Sequence, residues 1–255
     1  PVFPGRRFRH NGIYINKKSG IREAKDLKGK KVGSPEYQVT ASVWIRGILN
    51  DEYGVKASDV HWRQGGQEEP GREERAPLRL PPEIDLQRIP NDRSVSQMLE
   101  SGELDGMIGA RAPSCFTRGA PNVARMFPDY RAAEEEYFGR TRIFPIMHVI
   151  GIRKSLVEKH PWLPVNVFKA FIRAKEMAWY ELGQIGHLFN SLPWGVQEFH
   201  KAQALMGQDY WSYGLEANRH VLDAFTRYHH EQGISARRVL PEELFHPASL
   251  DLSKV

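Results

Sequence analysis

Up to Pro145, short apolar runs of strand type alternate with longer runs of helical period. Ser94 is placed to cap the second helical run, and Gly102 is placed to end it. Such alternation is typical of an α/β layer with parallel strands. The predicted strands cover 13–15, 31–33, 60–63, 84–89 and 104–108, and the predicted helices cover 40–52 and 94–101.

After Pro145 the pattern becomes almost wholly helical. One strand is predicted over 146–155, and helical spacing of apolar residues follows over 165–189 and over 221–232, where Gly233 ends the run. A sheet-rich half followed by a helical half predicts two lobes with a ligand cleft between them. The predicted parts are a crossover segment at 1–14, an α/β lobe at 15–143, and a second crossover with the helical part of the other lobe at 144–255.

The segment QGGQEEPGREERAPLRLPP, residues 64–82, is rich in glycine, proline and charge. Its composition predicts a long surface loop. Long loops on a compact scaffold are either mobile insertions or binding loops, and both interpretations stay open.

Composition narrows the class of protein. Hydrophobic residues make up 40% and charged residues 26% of the 255, which is typical of globular chains rather than disordered ones. No apolar run approaches the roughly 20 residues that cross a bilayer, so we expect no membrane span. Cys115 is the single cysteine, which excludes an internal disulfide framework and a cysteine-based zinc cluster.

The net charge of +5 favours an anionic partner. Acidic residues interrupt most basic segments, and no basic stripe carries regularly spaced aromatic residues, so a nucleic acid is not the expected partner. A small anionic ligand explains the excess charge at least as well.

Familiar catalytic motifs are absent from the sequence. It contains no G-x-G-x-x-G, no P-loop and no G-x-S-x-G, which removes the usual support for dinucleotide redox chemistry, phosphate transfer and serine hydrolysis. The ten histidines form no H-E-x-x-H or other short ligand motif. We expect no metal, although a site assembled from distant residues stays open.

Two places are candidates for binding an anion. Glu36, Tyr37 and Gln38 stand between a predicted strand and helix, Thr40 can cap that helix, and its free backbone N–H groups attract carboxylates. The alternative is an ordinary capped turn. Arg111 follows an apolar strand and can clamp a carboxylate, or it forms a structural ion pair.

Two further places are candidates for moving a proton. His148 lies in the apolar run FPIMHVIGI, where it is either a core residue or a proton-transfer group. Arg9 and His10 precede the first strand, at the other predicted crossover, and would face the same cleft. The alternative for this basic segment is a solvated face.

Several segments together resemble the 4,5-dihydroxyphthalate decarboxylase family, in the same order along the chain from about Pro1 to Phe245. They are RHNGIYIN, DLKGKKVGSPEYQVTASVWIRGIL, EYGV, PGREER, IFPIMH, HPWLP, LPW and LMGQDYWSYGLEANR. The resemblance implies an α/β, two-lobed fold like that of type II periplasmic binding proteins. Members of the family are longer at the N-terminus, which implies that an opening strand and helix of the helical lobe are missing here.

The resemblance implies decarboxylation of a hydroxylated aromatic dicarboxylate, with 4,5-dihydroxyphthalate giving 3,4-dihydroxybenzoate and CO₂. Deprotonation of the hydroxyl para to the carboxylate makes the ring carbon basic enough to take a proton before CO₂ departs. The substrate is then its own electron sink, so no cofactor is expected. The protein must supply a base, an acid and cations that hold two carboxylates.

The candidate residues are given these roles as hypotheses. We assign proton transfer to His148 and His10, and carboxylate clamping to Arg9 and Arg111, with Arg72 as a third clamp on the long loop. The remaining substrate-binding residues are expected at the helix N-terminus: Glu36, Tyr37, Gln38 and Thr40.

A second class of function fits the same fold. A solute-binding protein of an ABC transporter also needs arginine clamps for a small anionic or aromatic ligand. The enzyme interpretation predicts a cytoplasmic protein, and the transport interpretation predicts a periplasmic one. A related enzyme acting on another hydroxylated aromatic acid, and assembly into a homo-oligomer, also stay open.

Overall fold

The computed structural model describes residues 1–252, which form two compact units. The helical unit comprises Pro1–Arg7, Glu135–Ala224 and the residues from Val239 onward. The sheet unit comprises Phe8–Glu134 and Phe225–Arg238. The division into a crossover segment, an α/β lobe and a helical part that the sequence predicts stays a prediction.

Regular structure in the described part of the chain consists of short strands and eight α-helices. The strands are β1 (Gly5–Arg6), β2 (Ile13–Asn16), β3 (Lys31–Ser34), β4 (His61–Gln64), β5 (Leu86–Arg88), β6 (Gly106–Ile108), β7 (Val123–Arg125) and β8 (Ile146–His148). The helices are α1 (Thr40–Tyr53), α2 (Val95–Ser101), α3 (Ser114–Thr117), α4 (Tyr130–Thr141), α5 (Lys154–Lys159), α6 (Leu163–Leu182), α7 (Gly195–Met206) and α8 (Arg219–Glu231).

The sheet unit is built on a six-stranded sheet in the order β5-β4-β3-β6-β2-β7. The strands β5, β4, β3 and β6 are parallel, as predicted, but β2 runs antiparallel to both of its neighbours. The all-parallel expectation was therefore wrong for β2. Only short 3₁₀ turns, at Lys17–Ser19 and Ala24–Leu27, separate β2 from β3, whereas a parallel neighbour would need a long crossover.

Helix α1 packs its apolar residues into this sheet unit. Val43, Trp44, Ile45 and Ile48 are buried, and Gly54 ends the helix in the left-handed conformation, with φ of 65°. The side chain of Ser94 caps α2, and Gly102, with φ of 86°, follows its last residue. The predicted cap at Ser94 and the predicted stop at Gly102 are confirmed, whereas α1 continues one residue beyond its predicted end at Glu52.

The helical unit contains one antiparallel strand pair, β1 with β8, beside α5, α6 and α7. The strand predicted over 146–155 is wrong in its extent: β8 spans three residues, and its partner β1 spans only two. The helix predicted over 165–189 ends at Leu182, because Gly183 begins a loop that contains Gly186 and Pro193. Among the described residues, no helix is long and apolar enough to cross a membrane.

Candidate functional site

The loop between β3 and α1, residues 35–39, turns its carbonyl groups toward the protein interior. Each of three successive carbonyl oxygens accepts a hydrogen bond from a buried side chain of another element. The bonds are Gln64 Nε2 to Pro35 O at 3.0 Å, Ser34 Oγ to Glu36 O at 2.9 Å, and Arg46 Nη2 to Tyr37 O at 2.5 Å.

These donors hold the backbone from behind, so the N–H groups of Tyr37 and Gln38 face the other way. Both N–H groups donate to the carboxylate of Glu74, at 3.4 Å for Gln38, and Gln38 Nε2 donates to the same carboxylate at 3.3 Å. Successive N–H groups that converge on one carboxylate form an anion-binding nest. The loop is therefore preorganised for an anion, and a carboxylate of the protein already lies there.

The N-terminus of α1 adds to this attraction for anions. Its N-cap residue is Val39, whose side chain makes no capping hydrogen bond, and Thr40 is already the first helical residue. The expectation that Thr40 caps the helix was wrong, because capping requires the non-helical residue before it. Without a capping side chain, the positive end of the helix dipole favours an anionic ligand.

The long loop that carries Glu74 is attached to the sheet unit at several points. Glu68 accepts a hydrogen bond from the Ser114 N–H at 3.0 Å, and Arg72 donates to Glu36 Oε1 at 2.7 Å. Its beginning is a tight turn at Gly66, where a Cβ would lie 1.7 Å from the Glu69 carbonyl oxygen. These contacts favour a binding loop over a mobile insertion.

Glu36 and Arg72 are bound to each other. The Glu36 carboxylate is buried and also has Arg75 Nε at 3.5 Å, whereas 45% of the Arg72 side chain is exposed. The Arg72 charge is thus shared with a carboxylate, which weakens its attraction for a ligand. The structure gives Glu36 the role of fixing the loop through Arg72.

Tyr37 directs its ring into the core. The hydroxyl donates to the Gln232 carbonyl at 3.2 Å, the Arg46 guanidinium lies 3.7 Å from the ring centroid, and burial raises the pKa of the Tyr37 hydroxyl. Tyr37 therefore reaches the nest through its backbone N–H rather than its side chain. Gln38 also donates to the Ala76 carbonyl at 2.8 Å, so its amide ties the two loops together.

Arg111 lies at the same edge of the sheet as this nest. It follows β6, and β6 is the parallel neighbour of β3, so the loops that follow these two strands leave the sheet at one edge. Its side chain is exposed, and no carboxylate of the described residues lies within ion-pair distance. Within residues 1–252, Arg111 therefore does not form the structural ion pair that was its alternative role.

Arg9 and His10 lie at this edge as well, because β2 runs antiparallel to β6 and begins where β6 ends. The turn His10–Gly12 contacts the residues before Arg111 directly, since Gly109 N–H donates to Gly12 O at 3.0 Å. Both Arg9 and His10 are buried, and the His10 ring meets the Phe127 ring edge-on at 5.3 Å. The solvated-face alternative was therefore wrong for both residues.

His148 belongs to the helical unit. It ends β8 opposite Gly5, and its ring lies so close that a Cβ at position 5 would stand 2.1 Å from Nδ1. The side chain is exposed, so the core alternative was wrong. The structure thus gathers every predicted site residue except His148 within the sheet unit.

Sequence reasoning missed the groups that shape the nest. Arg46, Gln64 and Gln232 are almost wholly buried polar residues, and Glu74 provides the carboxylate. Arg46 was detectable, since it interrupts the apolar helix face in SVWIRGIL. No group of three or more metal-ligating His, Cys, Asp or Glu residues occurs in the part of the chain that is described.

The fold and this edge define an α/β protein of the periplasmic-binding-protein type, with a site suited to a carboxylate. A periplasmic sulfonate-binding protein from Methylobacillus flagellatus KT has a similar structure, with a TM-score of 0.51 and 15% identity over 93% of this chain and 63% of its own. At this identity the likeness shows the fold alone. The predicted fold class is confirmed.

Two curated relatives identify the family. A 4,5-dihydroxyphthalate decarboxylase from Comamonas testosteroni is 49% identical over all 255 residues, which cover 77% of that protein. One from Pseudomonas putida is 51% identical over 138 residues, 54% of each chain. No protein-family model matches. The chain belongs to the 4,5-dihydroxyphthalate decarboxylase family of carboxy-lyases, as the resemblance implied.

Proposed function

We propose that the chain catalyses the non-oxidative decarboxylation of 4,5-dihydroxyphthalate to 3,4-dihydroxybenzoate and CO₂. The observation that carries this proposal is the 49% identity, over the whole chain, to a relative named for that activity. The site supports it, because a dicarboxylate needs two anion-binding groups and one edge of the sheet offers the nest and Arg111.

The chemistry defines what the residues must do. Direct loss of CO₂ would leave an aryl carbanion, which is too unstable to form. When the hydroxyl para to the departing carboxylate loses its proton, electron density moves to the carbon that bears this carboxylate, and that carbon takes a proton. The C–C bond to the carboxylate then breaks, its electrons restore the aromatic ring, and CO₂ leaves. The phenolate that results takes back a proton from the protonated base, so the product retains one carboxylate and both hydroxyls.

One substrate carboxylate binds the N–H groups of Tyr37 and Gln38 in this proposal, and Arg111 clamps the other. Arg9, buried at the same edge, contributes positive charge. Glu74 must leave the nest before a substrate carboxylate can enter, since two carboxylates cannot share the same pair of donors. Binding therefore includes a displacement of the loop around Glu74.

The proton transfers are assigned to His10 and His148. Imidazole is suited to both directions of transfer near neutral pH. His10 is placed at the edge that holds the nest, and His148 is an exposed side chain of the helical unit. The substrate supplies the electron sink, so the proposed reaction needs no further group for electron storage.

The second candidate is a solute-binding protein, which the fold of the sulfonate-binding protein favours. It would bind the same anion without turnover and would be periplasmic, whereas the enzyme is proposed to be cytoplasmic. Homo-oligomerisation is compatible with either candidate and would appear in light scattering of the purified protein.

The deciding experiment is incubation of the purified protein with 4,5-dihydroxyphthalate, with CO₂ release and the ultraviolet spectrum followed over time. We expect stoichiometric CO₂ and 3,4-dihydroxybenzoate, identified by chromatography. A parallel sample with chelator tests for a metal assembled from distant residues. Saturable binding without CO₂ would overturn the enzyme proposal in favour of the solute-binding one.

A further inference from the structure

Arg46 is a charged side chain in the interior of the sheet unit. It lies on α1 among apolar residues, and only 1% of it is exposed. Within residues 1–252, no carboxylate lies within ion-pair distance of it. Burial lowers its pKa to about 10, which leaves it protonated at neutral pH. Glu74 attracts it at longer range, but a buried charge with no carboxylate in contact is costly, so a neutral residue would suit a purely packing role better.

Arg46 contacts the loop before its own helix, the Gln232 side chain and the Trp62 ring, which lies 5.3 Å away. Nη2 donates to the Tyr37 carbonyl at 2.5 Å, and Nε donates to Gln232 Oε1 at 2.7 Å. Gln232 in turn donates to the Val43 carbonyl at 2.9 Å and accepts from the Tyr37 hydroxyl through its backbone. The guanidinium is therefore fixed from two sides, with the Tyr37 ring stacked on its face.

The carbonyl that Arg46 holds belongs to the same peptide unit as the Gln38 N–H. A cationic donor at a carbonyl oxygen draws electron density along the amide and makes the opposite N–H a stronger donor. It also fixes the plane of the peptide, so this N–H points toward the nest. Among the three donors that hold the loop carbonyls, Arg46 is the charged one; Ser34 and Gln64 are neutral.

We infer that Arg46 is a positioning residue for carboxylate recognition. It orients and polarises the Tyr37–Gln38 peptide without touching the ligand, and it thereby sets the affinity of the nest for a carboxylate. The inference rests on the proposed function only in naming the substrate as the source of that carboxylate.

The test compares two aromatic probes, phthalate and catechol. Phthalate carries two carboxylates and no hydroxyl, and catechol carries two hydroxyls and no carboxylate. In titration calorimetry we expect Arg46→Gln to weaken phthalate binding by about tenfold or more, since a charge-assisted hydrogen bond is lost, and to leave catechol binding unchanged. Arg46→Lys, which keeps the charge, should recover part of the phthalate affinity.

Arg125→Gln is the matched control. Arg125 is another arginine of the sheet unit and stacks on Phe116 at 4.9 Å and on Tyr130 at 4.8 Å, and within residues 1–252 no hydrogen bond or ion pair joins its side chain to the loop. Its loss should leave the ratio of phthalate to catechol affinity unchanged. An equal loss of both affinities in Arg46→Gln, or an unchanged phthalate affinity, would overturn the inference.

A second variant keeps the test informative if Arg46→Gln does not fold. Gln232→Glu preserves the side-chain shape and places a carboxylate beside Arg46, which neutralises its charge and draws it away from Tyr37. We expect weaker phthalate binding again, with catechol unaffected. Unchanged phthalate binding in this folded variant would refute the role of Arg46.

The positioning role of Arg46 and the proposed enzymatic function can fail independently, and the experiments distinguish the two failures. If the wild-type protein binds phthalate in an Arg46-dependent way but releases no CO₂ from 4,5-dihydroxyphthalate, the proposed enzyme fails and the positioning role stands. If CO₂ is released and the Michaelis constant is the same in Arg46→Gln, the enzyme stands and the positioning role fails.

Discussion

An arginine that is buried over aromatic rings occurs in each unit of the molecule, and the two side chains have different tasks. Arg6 in the helical unit and Arg46 in the sheet unit both have a pKa lowered to about 10 by burial, and both lie over aromatic rings. Arg6 donates to Phe144 O at 3.0 Å, to Ser212 O at 2.8 Å and to the Asn218 side chain, and so joins segments far apart in sequence.

Arg46, by contrast, holds a loop only nine positions before it, where the ligand is proposed to bind. Similar burial and stacking thus serve long-range cohesion in one unit and local preorganisation in the other. Burial of an arginine therefore does not reveal its role, whereas the identity of the carbonyls that it holds does. The following changes test this contrast.

The largest effect is expected from His148→Ala, because His148 is the proton-transfer residue that the helical unit is proposed to contribute. Loss of a general acid or base should lower kcat about 10²–10⁴-fold while phthalate binding in calorimetry stays unchanged. His200→Ala, an exposed histidine of α7, is the control. Gly5→Ala should also lower kcat, because the new methyl group displaces the His148 ring. Full activity in His148→Ala would remove this residue from the mechanism.

The next largest effect is expected on stability. Arg6→Gln removes donors from three acceptors at once, and we expect a loss of about 3 kcal/mol in the free energy of unfolding. Urea denaturation measures it. Phthalate affinity of the folded fraction should not change. If affinity falls with little loss of stability, the contrast between the two arginines is wrong.

A smaller effect is expected for Arg111→Ala. Because the side chain is exposed, its ion pair with a ligand is partly screened, and we expect a loss of about 1–2 kcal/mol in phthalate binding. Arg118→Ala serves as the comparison, since Arg118 is exposed and already paired with Glu100. Equal phthalate affinity in the Arg111 variant and the wild type would discard the clamp.

The smallest effect is expected for Glu74→Gln. This change weakens an internal competitor for the nest, so phthalate should bind more tightly, by about 0.5–1 kcal/mol. Glu73→Gln, one position earlier and paired with Arg88, should leave affinity unchanged. Weaker phthalate binding in Glu74→Gln would mean that the carboxylate of Glu74 assists the site and does not compete with the ligand.

Local sequence signals predicted the elements around the site well. The position of α1, the cap at Ser94 and the stop at Gly102 follow from residues that are close together in the sequence, so they can be predicted without knowledge of the fold. The position of Arg111 just after a strand could also be predicted, because it depends only on the apolar run that precedes Arg111 in the sequence.

Contacts over long distances in sequence could not be predicted in this way. Gln232 bonds to Arg46 across 186 positions, and Glu74 reaches the Tyr37 N–H across 37. The direction of β2 also depends on its neighbours in the sheet, and the pattern of apolar and polar residues along β2 itself does not reveal it. The Thr40 error had a different cause, because one residue of shift separates a capping position from the first helical one.

The loop with its carbonyl groups turned inward has a consequence for protein engineering. Its recognition of anions resides in main-chain groups that every amino acid except proline possesses. Randomising the tip of the loop, for example at Gln38, would therefore leave the preference for carboxylates largely intact. New ligand selectivity is more accessible by varying the hidden supports at Ser34, Arg46 and Gln64, which a library aimed at ligand-contacting side chains would overlook.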